Sequence, residues 1–235
     1  MKVKIVFDQE SIDKKYSCGW GVSYLVDEKV LFDTGEKPEY LLNNLKAFDI
    51  SLKKIKKAVI SHNHWDHRGG LWGLLEANNS VEVFACLDFF EEFRDKVDNY
   101  NFKLVDRPIE IDKNIHTTGC VYSEYKEKAL REQSLILKTE KGLSIICGCA
   151  HFGVLKIIDK VRSIFPQDKI YSLIGGFHLI DKDNRFIKYV AGEMKSAGVE
   201  NIGPAHCSGI DAINIFKEVY EQNFLEVKVG IEIEV

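Results

Sequence analysis

Apolar and polar positions along this chain recur with two different periods. Alternation with a period of two marks strands at 2–7, 21–26 and 29–32, the last two turned into a hairpin at Asp27-Glu28. Spacing of three to four then takes over at 38–48, with Leu41, Leu42, Leu45 and Phe48 on one side and Pro38 suited to a first helical turn. A short buried strand follows at 57–61, a short helix at 70–77, a strand at 81–84 and a charged helix from 88 to about 97. The stretch 99–128 shows no helical period and only short extended pieces, Ile109-Glu110-Ile111 and Ile115-His116-Thr117, so it reads as an irregular insertion or lid. A second hairpin joins 134–139 to 143–147 around Glu140-Lys141-Gly142.

From there strands and helices alternate. Helix 154–165 stops at Pro166, strand 170–174 follows, and helix 184–197 points Phe186, Val190, Met194 and Ala197 inward before Gly198 ends it. Strand 201–205, helix 210–222 and a final strand at 225–235 complete the chain. Two stretches that each open with hairpins and pass into strand-helix alternation predict two sheets packed face to face with helices outside. That is an α/β chain of the four-layer αβ/βα sandwich type, read as one domain over 1–235.

Composition narrows the partners. The formal charge of −4 is spread over interspersed Lys and Glu, so there is no basic footprint for nucleic acid. No apolar run reaches membrane-spanning length, and the first residues are interrupted too early by Asp8 and Glu10 to form a signal peptide, which points to a cytoplasmic protein. Six Cys without C-x-x-C spacing argue against a disulfide framework and read mostly as small buried hydrophobes. The oligomeric state leaves no mark in the sequence.

The candidate chemistry lies in Ser61-His62-Asn63-His64-Trp65-Asp66-His67, directly after the apolar Ala58-Val59-Ile60. Three crowded imidazoles repel one another when protonated and strand unpaired nitrogens when buried neutral, and a divalent cation resolves both problems. His62 and His64, two residues apart at a strand end, can share one ion, while Asp66 and His67 can face a second. His151, His178 and His206 each follow a predicted strand, where layered α/β folds assemble their sites. Gly69-Gly70, Gly153 and Ser208-Gly209 near helix starts suggest amide groups open to an anion, and with them a small anionic substrate.

These residues carry a resemblance. His62-x-His64-x-Asp66-His67, with Leu31-Phe32-Asp33-Thr34-Gly35, Cys149-Ala150-His151 and His206, resembles the metallo-β-lactamase superfamily across nearly the whole chain. Gly148-Cys149-Ala150-His151, Ile174-Gly175-Gly176-Phe177-His178-Leu179, His206-Cys207-Ser208-Gly209 and Glu132-Gln133 are similar to the subgroup that includes archaeal dihydropterin synthase-like proteins. The resemblance implies that His62, His64 and His151 hold one metal and Asp66, His67 and His206 a second. It implies zinc, with manganese or iron as alternatives, a metal-bound hydroxide as nucleophile, Asp66 orienting it, and Asp33 fixing the tautomer of a ligand imidazole. Gly175, Gly176, Ser208 and Gly209 would then contact the anionic substrate. The superfamily's usual bridging Asp has no counterpart at the end of strand 170–174, where His178 stands as metal ligand or substrate contact.

Bland readings compete at several positions. Cys149 and Cys207 adjoin presumed ligands and could bind zinc or act as nucleophiles, but read first as packing residues; Glu132 and Gln133 read first as members of a solvated strand, with the resemblance pointing to a role near the site; His116 reads as a surface residue, and Phe89, Phe90 and Phe93 as core. Asp33-Thr34-Gly35 is also an aspartic-protease motif, yet no second copy supplies the partner carboxylate. The function that fits best is a metal-dependent hydrolase of a phosphoester, ester or lactone. The alternative is a pterin-type transferase on the same metals. Redox variants of the fold replace His64 by an acidic residue and add a flavin domain, and neither is present.

Overall fold

The computed structural model describes residues 1–125 and 128–235. Its elements run β1 (Lys2–Phe7), β2 (Ser23–Val26), β3 (Val30–Phe32), α1 (Pro38–Ala47), β4 (Lys57–Val59), α2 (Trp65–Arg68), α3 (Leu71–Ala77), β5 (Glu82–Ala85), α4 (Leu87–Glu92), α5 (Arg94–Val97), β6 (Asn101–Leu104), β7 (Ile109–Asp112) and β8 (Ile115–Thr117). They continue with β9 (Val121–Tyr125), β10 (Lys128–Glu132), β11 (Leu135–Thr139), β12 (Gly142–Cys147), α6 (Val154–Ile164), β13 (Ile170–Gly176), α7 (Asn184–Ser196), β14 (Asn201–Ala205), α8 (Ile210–Tyr220) and β15 (Glu232–Glu234). One sheet has the order β15-β1-β2-β3-β4-β5-β6, the other β14-β13-β12-β11-β8-β7, and β9 pairs only with β10.

Both faces of both sheets are covered, and the alternation of side chains shows how. Val3 and Ile5 of β1 turn toward the second sheet, where they meet Ile146 and Ile174, whereas Val6 turns outward under Leu41 and Leu45 of α1. In β12, Ile146 faces the first sheet while Ile145 and Cys147 face α6, α7 and α8. Three apolar seams therefore separate four layers, which is the αβ/βα sandwich expected from the sequence. Helix α7 buries Ile187, Val190, Ala191 and Met194, while Phe186, expected inward, is exposed. Phe89 lies in the outer seam of the first sheet, as read. Among the described residues no helix is long and apolar enough to cross a membrane.

Four expectations change. The stretch 99–128 is mostly strand: β6 edges the first sheet, β7 and β8 edge the second, and β9 starts a separate hairpin, with 126 and 127 outside the described residues. The charged helix is two short pieces, because Phe93 leaves helical geometry at φ −114° and ψ 28°. The final strand shrinks to β15, since the chain first binds β14 through the Leu225 amide on Ile202 O and only later reaches β1. A segment that crosses from one sheet to the other cannot be a continuous strand of either. Cys86 and Cys120 form a disulfide, joining the end of β5 to the β8–β9 connection, against the reading of the cysteines as unpaired. Cys147, Cys149 and Cys207 are free and buried, and Cys18 is free.

Candidate metal centre

The strands deliver their C-terminal ends to one edge of the sandwich. His62 and His64 follow β4, Asp66 and His67 lie on α2, His151 follows β12, His178 follows β13, and His206 follows β14. Asp33, Ala150, His178 and His206 all have left-handed backbone, with φ of 56°, 56°, 53° and 48°. Non-glycine residues avoid this region, so four such turns at one edge mark backbone bent to aim side chains.

The predicted ligands converge in the predicted pairs of triads. Donor atoms of His62, His64 and His151 lie within 4.8 Å of one another, and so do those of Asp66, His67 and His206. Within the first set, His62 Nε2 is 3.0 Å from His64 Nδ1 and 3.3 Å from His151 Nε2. Within the second, Asp66 Oδ2 is 3.5 Å from His67 Nε2 and 3.3 Å from His206 Nε2. A tetrahedral zinc with ligands at about 2.0–2.1 Å sets ligand-to-ligand edges of about 3.3–3.4 Å, so these sets already have the dimensions of coordination polyhedra. Four of the six residues are buried, His67 at 0% exposed, His62 at 1%, His206 at 3% and Asp66 at 5%, while His64 and His151 are half-buried.

Protonation follows from the neighbours. Ser61 Oγ donates to Asp33 Oδ2 at 2.7 Å and so accepts from His62 Nδ1 at 2.8 Å, which leaves the His62 Nε2 lone pair facing the triad. His67 Nδ1 donates to the same Asp33 Oδ2 at 2.7 Å, and Asp33 Oδ1 accepts from the Ser61 amide at 2.7 Å. One carboxylate thus orients a ligand of each triad. Asp33 accepts directly from His67, and Ser61, to which the motif reading gave no role, carries its hold on to His62.

The first triad is kept neutral. Burial, then the charge of His67, drives His62 well below the usual imidazole range and His64 to about 4; burial and then His178 take His151 to about 2. Burial also pulls on His67, but the Asp33 carboxylate more than reverses it and lifts that imidazole to about 9. For Asp66, burial alone would raise the carboxyl, yet His206 and His67 hold it well below the usual carboxylate range. Without a metal the cluster is the Asp66 carboxylate and three neutral imidazoles beside a protonated His67; a cation bound at His67 Nε2 would displace that proton and leave the one on Nδ1 with Asp33. His206 Nε2 and His151 Nδ1 are buried without a hydrogen-bond partner among the described residues. His206 Nδ1 accepts from the Gly21 amide at 3.2 Å, so its Nε2 is turned toward Asp66 Oδ2 at 3.3 Å. A divalent cation fits this donor set.

Two residues of the quoted motifs take parts that their first readings did not give them. Glu132 is fully buried, and its Oε1 accepts from the Cys149 and Ala150 amides at 2.9 and 2.7 Å while Oε2 accepts from the His151 amide at 2.7 Å. It is no member of a solvated strand; it fixes the loop that carries His151. The anion held by the amides after β12 is this internal carboxylate. Gln133, equally buried, donates to Ile60 O and Phe84 O and accepts from Thr117 Oγ1, tying the β4 end to the second sheet. The second residue is Cys149, whose Sγ lies 3.2 Å from His67 Nε2.

The substrate contacts assigned to Gly175, Gly176, Ser208 and Gly209 are corrected. Gly175 has φ +129°, and a Cβ there would stand 2.0 Å from Cys147 O; a Cβ on Gly176 would stand 2.4 Å from Gly148 O. Ser208 Oγ accepts from the Phe177 amide at 3.0 Å, and the Gly209 amide donates to His206 O at 3.3 Å. Gly175 and Gly176 let β13 close on β12 and the loop after it, Gly209 packs against Ile180, and the Ser208 hydroxyl and Gly209 amide are engaged within the protein. Gly175→Ala should cost about 4 kcal/mol or more, the range of severe core strain, read by urea unfolding. A Gly175→Ala protein of unchanged stability would restore a substrate-facing role.

His178 belongs to neither triad and lies beside His151 and Cys149. Its ring packs 4.5 Å from that of His151 and groups with Cys149 and His151, and hydrogen bonding to Cys207 pushes its pKa up. An open cleft of about 380 Å³ reaches the first triad at His64, bounded by Asn63, Asp88, Glu92, Tyr125 and Lys128. Trp20 packs on the His206 ring at 4.7 Å, and Trp65, beside His64, is 56% exposed.

Comparison with known proteins gives the family and the fold. The family model described as the metallo-beta-lactamase superfamily matches residues 19–132. The chain is 31% identical to the 7,8-dihydropterin-6-methyl-4-(beta-D-ribofuranosyl)-aminobenzene-5'-phosphate synthase of Methanocaldococcus jannaschii, over 89% of this chain and 88% of that one. Among solved structures it is similar to Tm1679, described as a metal-dependent hydrolase of the beta-lactamase superfamily, with TM-score 0.82 and 28% identity over 100% of this chain and 99% of that one. It shares its fold with YhfI from Bacillus subtilis at TM-score 0.69 and 13% identity, over 100% and 98% of the two chains.

Proposed function

Since the chain belongs to the metallo-β-lactamase superfamily, we propose that it is a metal-dependent hydrolase of a small anionic phosphoester, ester or lactone. The observation that carries the reading is the meeting of two ligand triads above one shared carboxylate, Asp33. His62, His64 and His151 would hold one divalent cation, zinc in the first instance, and Asp66, His67 and His206 a second. Bound there, such cations acidify a water molecule from about 15.7 toward ~7 and polarise the oxygen under attack.

The chain's own residues supply orientation. Asp66 uses Oδ2 toward His67 and His206, and its other oxygen can accept a hydrogen bond from an attacking water and so aim it. The Asp33-Ser61 pair holds His62 and His67 with their Nδ1 protons turned away from the triads. The cleft at His64 has the volume of a small-molecule site; on its wall Asp88 and Glu92 are paired with Arg131 and Arg68, and Lys128 adds a positive charge that suits an anion.

A second reading is a transferase that joins a pterin to an aromatic phosphate, using the same ligands. The named relative in Methanocaldococcus jannaschii favours it, and the aromatic rings of Trp65 and Tyr125 beside the ligand histidines suit a flat substrate.

Elemental analysis of protein purified without added metal, followed by a screen of chromogenic phosphoesters, esters and lactones, tests the proposal. We expect close to two metal equivalents and turnover without any acceptor, falling at least tenfold on chelation and returning with added zinc. Turnover seen only with a pterin and acceptor pair would establish the second reading, and metal-free protein with full activity would overturn both.

A further inference from the structure

The superfamily's bridging carboxylate is missing from the end of β13, where the chain reads Gly175-Gly176-Phe177-His178, and His178 stands to one side of the second triad. What does reach both triads is sulfur. Cys149 Sγ stands within 4.8 Å of donor atoms in three separate groupings: with His62 and His67, with His151 and His178, and with His206 and Cys207. Its distance of 3.2 Å from His67 Nε2 approaches the edge of about 3.5 Å expected between nitrogen and thiolate ligands bound at about 2.0–2.1 and 2.3 Å to one tetrahedral zinc. The side chain is held there. Cys149 is 4% exposed, and Glu132 accepts from its amide at 2.9 Å, fixing the backbone from which it projects.

We infer that the Cys149 thiolate is a metal ligand placed between the two triads, standing in for the absent carboxylate; the inference rests on the metal reading above. Burial alone pushes this thiol up, and the neighbouring Cys207 adds to the effect. A coordinated cation has the opposite and larger influence, since it deprotonates a ligating thiol outright. A soft sulfur donor also biases the site toward zinc, or iron, over magnesium or calcium. Cys207, by contrast, appears only in the grouping with Cys149 and His206.

Cobalt(II) is the probe, because thiolate ligation gives an intense near-ultraviolet charge-transfer band that nitrogen and oxygen ligation does not. The full-length protein is stripped of metal, reloaded with cobalt(II), and compared with Cys149→Ser, Cys149→Asp and Cys207→Ser for absorption and for bound metal per chain. The expected result is a band in the parent and in Cys207→Ser, lost in Cys149→Ser, with Cys149→Asp binding cobalt to the parental ratio without the band. Should Cys149→Ser not fold, Cys149→Asp alone decides. Cobalt bound by the parent without a band, or a band removed only by Cys207→Ser, overturns the role of Cys149 and leaves the metal reading intact. No cobalt uptake by the parent overturns both.

Discussion

Asp33→Ala is expected to lower the stability of the metal-free protein by about 3–5 kcal/mol, the cost of breaking one side of a buried ion pair, and to weaken metal binding in both triads more than 100-fold. The carboxylate is wholly buried and accepts from three donors: the Ser61 amide, the Ser61 hydroxyl and His67 Nδ1, each at 2.7 Å. Alanine leaves all three without an acceptor. It also frees the His67 ring and, through Ser61, the His62 ring, so each triad loses one oriented ligand. Substituting a single group beneath a ligand usually costs about 10–100-fold in metal affinity, and here one group serves two ions.

Asp33→Asn separates the two effects. Its amide oxygen can keep the Ser61 amide, but its NH2 then faces the Ser61 hydroxyl and His67 Nδ1, both of which need an acceptor there. We expect a smaller loss of stability and a loss of affinity within about 10–100-fold. Urea unfolding of metal-free protein gives the first quantity, and competition against a chelator of known affinity gives the second; using metal-free protein keeps bound ions from adding to the apparent stability. An Asp33→Ala protein that bound two metals as tightly as the parent would show that the ligands are held by something else.

The contrast between Asp33 and Glu132 shows what a sequence carries. His62 to His67 were legible because their ligand types fall within one turn of chain, where spacing alone fixes their common direction. His151 and His206 were legible from position, since each follows a parallel strand of the same sheet and such strands deliver their ends to one edge. What Glu132 does was not, because its partners are backbone amides 17 to 19 residues away, and backbone amides have no signature in a sequence. What Cys149 does was not either: a thiol two residues before a ligand has the same pattern whether it packs or binds.

Fold-level misses have similar causes. β6 carries Asn101 and Lys103 in an exposed edge position, so no alternation of buried side chains announces it. Cys86 and Cys120 stand 34 residues apart without a spacing motif, and only the packing of β5 against the second sheet brings them together. Glycine was misread for a different reason. A left-handed glycine serves a ligand or a close backbone approach equally well, and at Gly175 the second applies, with Cys147 O where a side chain would be.

Glu132→Ala should remove metal from the first triad and lower stability by about 3 kcal/mol, because buried amides left without acceptors cost about 1–3 kcal/mol each, less than additively. Part of that cost is offset, since burial pushes the Glu132 carboxyl up against the pull of three amide donors, and deleting the group relieves that desolvation. The loop 149–151 would then lose what holds Ala150 in left-handed backbone, and His151 would no longer be aimed at His62. Glu132→Gln is the sharper test. Its oxygen can still serve the Cys149 and Ala150 amides, but its NH2 meets the His151 N–H, donor against donor. We expect Glu132→Gln to fold, to exchange the 149–151 amides faster by hydrogen-exchange mass spectrometry, and to retain about one metal per chain in place of two. Two metals retained with unchanged exchange would mean that the loop is rigid without its carboxylate, and that Asp33 alone organises the centre.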